Sequence, residues 1–302
     1  MARYPTPVQP GDMAPYGALS VPRFTPELIG LIKTGTVYSL AVPLYEGIGR
    51  HPAIPPYSLK TAIRHGDAPE IAPVSGSIEI VTACPHTGTH IDALCHIGEW
   101  QDSEGNVAPP DRGEVRLYDG PGRTVSARAK TTPDGMTHLS IAEMPPIVTR
   151  GVLLDVAGYL GVEVLPDCYT ISVDDICGTL ARQGTEVKPG TAALIRTGCY
   201  KHLRDGNPAF AHAIAGIGLP AAKLLASQGM ILIGADNGTV EPQPPPDHDV
   251  HRFDLVHNGI THIEVLYLEE LAEKQVYEFV LIVTPLRLQG STGSWVHPIA
   301  IA

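Results

Sequence analysis

The sequence predicts one α/β domain built on a single mixed β-sheet. Three observations carry that reading. Short apolar strands alternate with helical segments through the second half, no internal repeat is present, and no Gly/Ser-rich or charged linker divides the 302 residues. That length suits one large domain or two ordinary ones, and the missing linker decides for one.

The elements follow in order. Residues 1–35 are rich in proline with little periodicity, which predicts an irregular segment on the surface, and the domain proper runs from 36 to 302. VYSLAVPLYEG from Val37 reads as a strand entering a turn. Residues 48–75 are Pro-rich again and read as a long irregular loop, of the kind that serves as a lid or pocket wall. SIEIVTA (77–83) is a strand, and the polar, Gly/Pro-rich residues 101–122 read as a surface excursion. GVLLDV (151–156) is a short buried strand. Ser172 with Asp175 three residues on resembles a capping box, opening a helix that Gly184 stops. TAALIRTG (191–198) is a strand, Pro220 to Gly229 a helix, and MILIGAD (230–236) a strand ending in a carboxylate. EVLYLEELAEK (264–274) is helical in its second half, and VYEFVLIVTP (276–285) is a strand.

Composition limits the function. Apolar residues make up 43%, enough for a substantial core, and the formal net charge is −11 without a basic cluster, which argues against nucleic acid or an anionic membrane as partner. The opening residues hold no apolar signal-peptide region, and runs such as MILIG are too short to cross a bilayer. Five irregularly spaced cysteines suit a reducing compartment, so a cytoplasmic location is expected.

The chemistry concentrates in CPHTGTHIDALCHIGEW, residues 84–100. His86 and His90 have helical i, i+4 spacing, but Pro85, the β-branched residues and Gly88 make poor helix. In an extended chain His90 and Asp92 point to one side, and a turn at Gly88 brings His86 to join them. Two imidazoles and a carboxylate suit Zn²⁺, Mn²⁺ or Fe²⁺. The competing reading is a polar turn with surface histidines. His96 is either a further ligand or a free base, since an imidazole titrates near neutral pH. A second polar cluster, PDHDVHRFDLVHNGITHIEV (246–265), offers four histidines and four acids, and periodicity does not choose among them. Asp236, at a strand end, is a candidate substrate-binding residue or a turn cap. Tyr57 and Trp100 are pocket aromatics or core, with core favoured for Trp100. Cys95 reads as a packed thiol rather than a nucleophile. No GxGxxG follows a strand and no GxSxG is present, which leaves a dinucleotide site or a serine elbow unsupported.

HTGTHIDALCH resembles the HxGTHxDxxxH signature of the cyclase-like metal hydrolases, the family that contains kynurenine formamidase (arylformamidase) and isatin hydrolase. RGVLLDVAGYLGVEVL, KPGTAALIRTGCY, GMILIGADNGTVEP, HRFDLVHNGITHIEVLYLEELA and GSTGSWVHPIAIA resemble later family blocks in the same order, so the likeness spans roughly residues 36 to 302. The resemblance implies His86, His90 and Asp92 as metal ligands, His96 as acid/base, and His251 and Glu264 as distant residues completing a site for one or two Zn or Mn ions. It further implies a swivelling β/β/α architecture and a homodimer or homotetramer acting on a small molecule. The expected reaction is metal-assisted hydrolysis of a small amide or lactone, such as an N-acyl or N-formyl aryl amine or a cyclic amide. A strict arylformamidase is the alternative within the class, and a non-catalytic metal- or ligand-binding protein the alternative outside it. Two departures leave substrate identity open. Leu94 follows Asp92-Ala93 where the family often has proline, and Trp295 stands where proline is common, both expected to border the pocket.

Overall fold

A computed structural model describes Tyr16, Leu19, residues 25–244 and residues 247–302. Most of the proline-rich N-terminal segment, and the first residue of the second polar cluster, lie outside the described residues. Within that segment, Tyr16 is buried and its hydroxyl donates to the Leu139 carbonyl at 2.6 Å, and a short helix spans Pro26–Ile29.

Nine strands form the main sheet: β1 (Val37–Ser39), β2 (His90–Asp92), β3 (Ile147–Asp155), β4 (Thr191–Arg196), β5 (Met230–Ala235), β6 (Thr261–Glu264), β7 (Glu278–Val283), β8 (Gly293–Trp295) and β9 (Ile299–Ile301). Their order is β1-β9-β7-β3-β4-β5-β6-β2-β8. The four central strands β3 to β6 run parallel, and antiparallel pairs extend the sheet on both sides. The predicted single α/β domain on a mixed sheet is the observed architecture.

The central strands are apolar at successive positions because both faces are covered. Leu153, Leu194, Leu232 and Ile263 enter one core, whereas Val152, Leu154, Ala193, Ile195 and Ile233 enter the other. The helix Val173–Gln183 lies between β3 and β4, and Leu219–Ser227 between β4 and β5. Ser172 and Asp175 form the reciprocal cap, with Asp175 Oδ2 accepting from the Ser172 amide at 2.8 Å, and Gly184 ends that helix at φ +65°. Asp fills the place that Glu usually takes, and its Oδ2 accepts from the Ser172 hydroxyl as well.

Two expectations need correction, at residues 48–75 and at Trp100. Residues 48–75 are not wholly irregular: Ser58–Ile63 is a strand, paired antiparallel with Ile78–Thr82 in a ribbon separate from the main sheet. The excursion at 101–122 is largely exposed, as expected, and also contributes to a three-stranded sheet of Glu99–Gln101, Glu114–Tyr118 and Thr124–Ser126. Trp100, in the first of those strands, is 40% exposed rather than core, because its neighbours Glu99 and Gln101 take the inward side. The segment after Asp249–His251 winds as a π-helix over Arg252–Asn258, which shifts the side-chain positions that an α-helical wheel assigns.

β2 shows how fold and site are separated. Ile91 is fully buried in the same core as Ile263, while His90 and Asp92 point to the opposite face. Ile91→Ala should therefore lower stability by about 2–5 kcal/mol through cavity formation. A urea unfolding midpoint equal to that of the wild type would contradict this packing.

Candidate metal centre

The centre is assembled on the side of β2 and β6 opposite Ile91 and Ile263. β2 and β6 pair antiparallel with His90 opposite Glu264, so imidazole and carboxylate meet across the ladder, His90 Nε2 lying 3.3 Å from Glu264 Oε2. Gly88, at φ +66°, makes the turn before β2. The left-handed φ favours glycine there, and a Cβ would also press to 2.4 Å on the end of the Leu44 side chain. The Gly88 carbonyl accepts from His90 Nδ1 at 2.8 Å, which fixes the tautomer and leaves the Nε2 lone pair facing inward. His86 returns over the cluster with Nδ1 2.9 Å from Asp92 Oδ1, its Nε2 bonded to Thr292 Oγ1 at 3.1 Å. Gly293 leaves room for that ring, since a Cβ would lie 2.5 Å from His86 Cε1.

His251 enters from the far side, with Nε2 3.4 Å from Glu264 Oε1. Its other nitrogen donates to Glu241 Oε1 at 2.5 Å, a carboxylate that also accepts from His248 at 3.0 Å. Burial opposes the charge on Glu241, but these histidines hold its pKa down to about 2. His96 stacks on His86, ring centroids 4.1 Å apart.

The donor set fits a divalent cation. Both oxygens of Asp92 and Oε1 of Glu264 are buried and accept no well-aligned hydrogen bond, and His86 Nδ1, although 2.9 Å from Asp92 Oδ1, makes none either. Carboxylates held this close without donors repel one another, and a cation between them removes the conflict. Burial disfavours charge on His90, yet Glu264 and Asp92 more than offset it and push its pKa up to about 9, a measure of how strongly the cluster attracts positive charge. Asp92 belongs to two groupings, one with His86 and His96 and one with His251, His262 and Glu264, each with ligand atoms within 4.8 Å of one another. A carboxylate shared in this way suits two adjacent ions.

The structure thus brings together His86, His90, Asp92, His96, His251 and Glu264. Trp295 is close by, opposite His90 in the β2–β8 ladder, its indole donating to the Cys84 carbonyl at 3.0 Å. Tyr57 packs into a small core with Phe210, Ile214 and Val265, beneath a cleft that Phe210, Ile214 and Val265 share with His86 and His90. Asp236 does not carry the expected substrate contact. It is fully buried, and its oxygens accept from the Thr197 amide and hydroxyl and the Gly198 amide at 2.7–2.8 Å, so it braces two strand ends. Burial raises its pKa to about 6. Cys95 is buried, its thiol pushed up to about 12 by burial, which removes it as a nucleophile. Sequence reasoning missed Glu241 and Thr292. The one available signal for Glu241 was its place as the lone acid in the otherwise uncharged residues 237–246.

A parallel-cored sheet thus carries a buried His/Asp/Glu cluster suited to a divalent cation. Residues 38–242 match the family model described as Cyclase, and the chain belongs to that family. It is 27% identical to the kynurenine formamidase of Geobacillus thermodenitrificans (strain NG80-2) over 258 residues, 83% of this chain and 90% of that one. A crystal structure described as a novel cyclase superposes with a TM-score of 0.80 at 26% identity, covering 97% of each chain. Isatin hydrolase A from Labrenzia aggregata, bound to benzyl benzoate, shares the fold at a TM-score of 0.62 and 18% identity over 90% of this chain and 94% of that one.

His90→Ala should strip most bound metal from the purified protein, because it removes the imidazole lying between Asp92 and Glu264. Elemental analysis checks this, and full metal occupancy in a folded variant would take His90 out of the ligand set.

Proposed function

We propose that the protein hydrolyses a small amide or lactone, best described as an N-acyl or N-formyl aryl amine or a cyclic amide, with His96 as acid/base. The observation that carries the reading is a neutral imidazole beside the donor-starved carboxylate cluster. Burial holds the His96 pKa down to about 4, opposed by Asp92 and reinforced by His86 and His251, so its ring is an unprotonated acceptor at pH 7.

His86, His90, Asp92, His251 and Glu264 would hold one or two Zn or Mn ions. Such an ion supplies Lewis acidity to water and to a substrate carbonyl. Glu241 and the Gly88 carbonyl keep the His251 and His90 rings in the ligating tautomer. His96 takes a proton from the attacking water at a ring nitrogen and returns it to the leaving nitrogen or oxygen. The cleft over His86 and His90 is walled by Phe210, Ile214 and Ile54 with Arg50 at its side, an apolar lining in keeping with the aryl part of such a substrate. Similarity to a kynurenine formamidase makes N-formyl aryl amines the first compounds to test.

The ribbon of Ser58–Ile63 and Ile78–Thr82 supports assembly as a homodimer or homotetramer. Leu59, Ile63, Ile78, Ile80 and Val81 are all exposed, although they point alternately to its two faces. An isolated two-stranded ribbon is marginal in water, and an apolar surface of this kind calls for a partner. Sedimentation should show an oligomer for the wild type and a smaller species for Ile80→Asp. A monomeric wild type at micromolar concentration ends this part of the reading.

His96→Ala should keep its metal and lose turnover of a formanilide or isatin-type substrate by roughly 10²–10⁴-fold, the usual cost of a lost acid/base group. Metal content and kcat are measured on the same preparation. Parallel loss of both would make His96 a ligand, and near wild-type turnover would remove it from the mechanism.

A further inference from the structure

We infer that His262 is an additional metal ligand, held in place by Asp254, so that the second ion is bound by His251, Glu264, His262 and the shared Asp92. The inference rests on the metal-centre reading above and extends its donor set. His262 and Glu264 are two residues apart on β6 and face the same side. The β6–β2 ladder pairs Glu264 with His90 and Ile263 with Ile91, and the next step places His262 opposite Asp92. The inner face of these two strands is therefore a square of two imidazoles and two carboxylates. The His262 ring lies 4.6 Å from that of His251, centroid to centroid, and one potential ligand atom from each of Asp92, His251, His262 and Glu264 falls within 4.8 Å of the others.

A buried histidine is often only a satisfied core residue, but His262 is half-satisfied. Its Nε2 is bonded to Asp254 Oδ2 at 2.9 Å, and both side chains are fully buried. Its Nδ1 is buried with no partner. With Nε2–H donating to Asp254, Nδ1 carries an unshared lone pair in a buried setting. A buried lone pair with no donor is unfavourable, and a cation held together with Asp92, His251 and Glu264 would satisfy it. The arrangement repeats that of His251 and Glu241: a carboxylate grips one imidazole nitrogen and leaves the other free to ligate. Asp254 is supplied by the π-helix Arg252–Asn258, whose wider turn carries it to the buried side between Phe253 and Leu255.

The test is metal binding, read independently of activity. Chelator-stripped protein is titrated with Zn²⁺ and with Mn²⁺ against a chromophoric competitor, and the product is analysed for metal. Wild type should take up two ions. His262→Gln should lose the weaker-held ion and keep the one bound by His86, His90 and Asp92, and Asp254→Asn should bind that second ion about 10–100-fold more weakly. Crystals of the wild type grown with Zn²⁺ should show an anomalous peak about 2.0–2.1 Å from His262 Nδ1, which decides the matter even if the variants fail to fold. A folded His262→Gln with unchanged stoichiometry and affinity, or an anomalous peak well away from His262, makes it a core histidine and leaves the metal-centre reading intact. A wild type that binds neither metal overturns both.

Discussion

Two buried carboxylates faced only by imidazoles, Asp92 and Glu264, set the terms for everything around them. They stand on adjacent strands, both nearly fully buried, among imidazoles rather than among lysines or arginines. A lysine would neutralise them permanently. Imidazoles offer lone pairs instead, so the cluster is suited to a cation from outside the chain. The surrounding residues serve that arrangement. Gly88 and Gly293 make room for His86, the Gly88 carbonyl and Glu241 orient two rings, and the antiparallel addition of β2 to the parallel strands brings residues 90–92 beside 261–264.

Electrostatic contrast within the cluster separates the roles of similar side chains. His90 lies between two carboxylates and is pushed up toward the charged form, whereas burial above all holds His96 down in the neutral form. The same residue type is thus driven toward the charged form at one position and toward the neutral form at another. Environment makes the distinction, six residues apart in the chain.

Much of this was legible in the sequence, for identifiable reasons. The second-half strands and the capped helix at Ser172 were readable because apolar runs, caps and stop glycines are local signals. His86, His90 and Asp92 were readable because a turn and a strand suffice to bring them together. The first half was harder. The strand Ser58–Ile63 has no buried face to impose an alternating pattern, and prolines around it imitate a loop. Asp236 looked functional because strand ends in α/β sheets commonly are, whereas three donors from 197–198 occupy it, a fact that no local pattern encodes. Glu241, Asp254 and Thr292 act through residues 10, 8 and 206 positions away, the last two distances fixed by a π-turn and by sheet order rather than by spacing.

Alternation along β2 and β6 has a consequence for how such a protein diversifies. Because Ile91 and Ile263 belong to the core while His90, Asp92, His262 and Glu264 face away from it, the two sets answer to separate selective pressures. Hydrophobic positions can drift with the packing of the far layer, and the polar set can be revised without unsettling the domain. A lineage built on this sheet can exchange substrates, or even metals, while its scaffold stays recognisable, and relatives of low identity can still superpose closely.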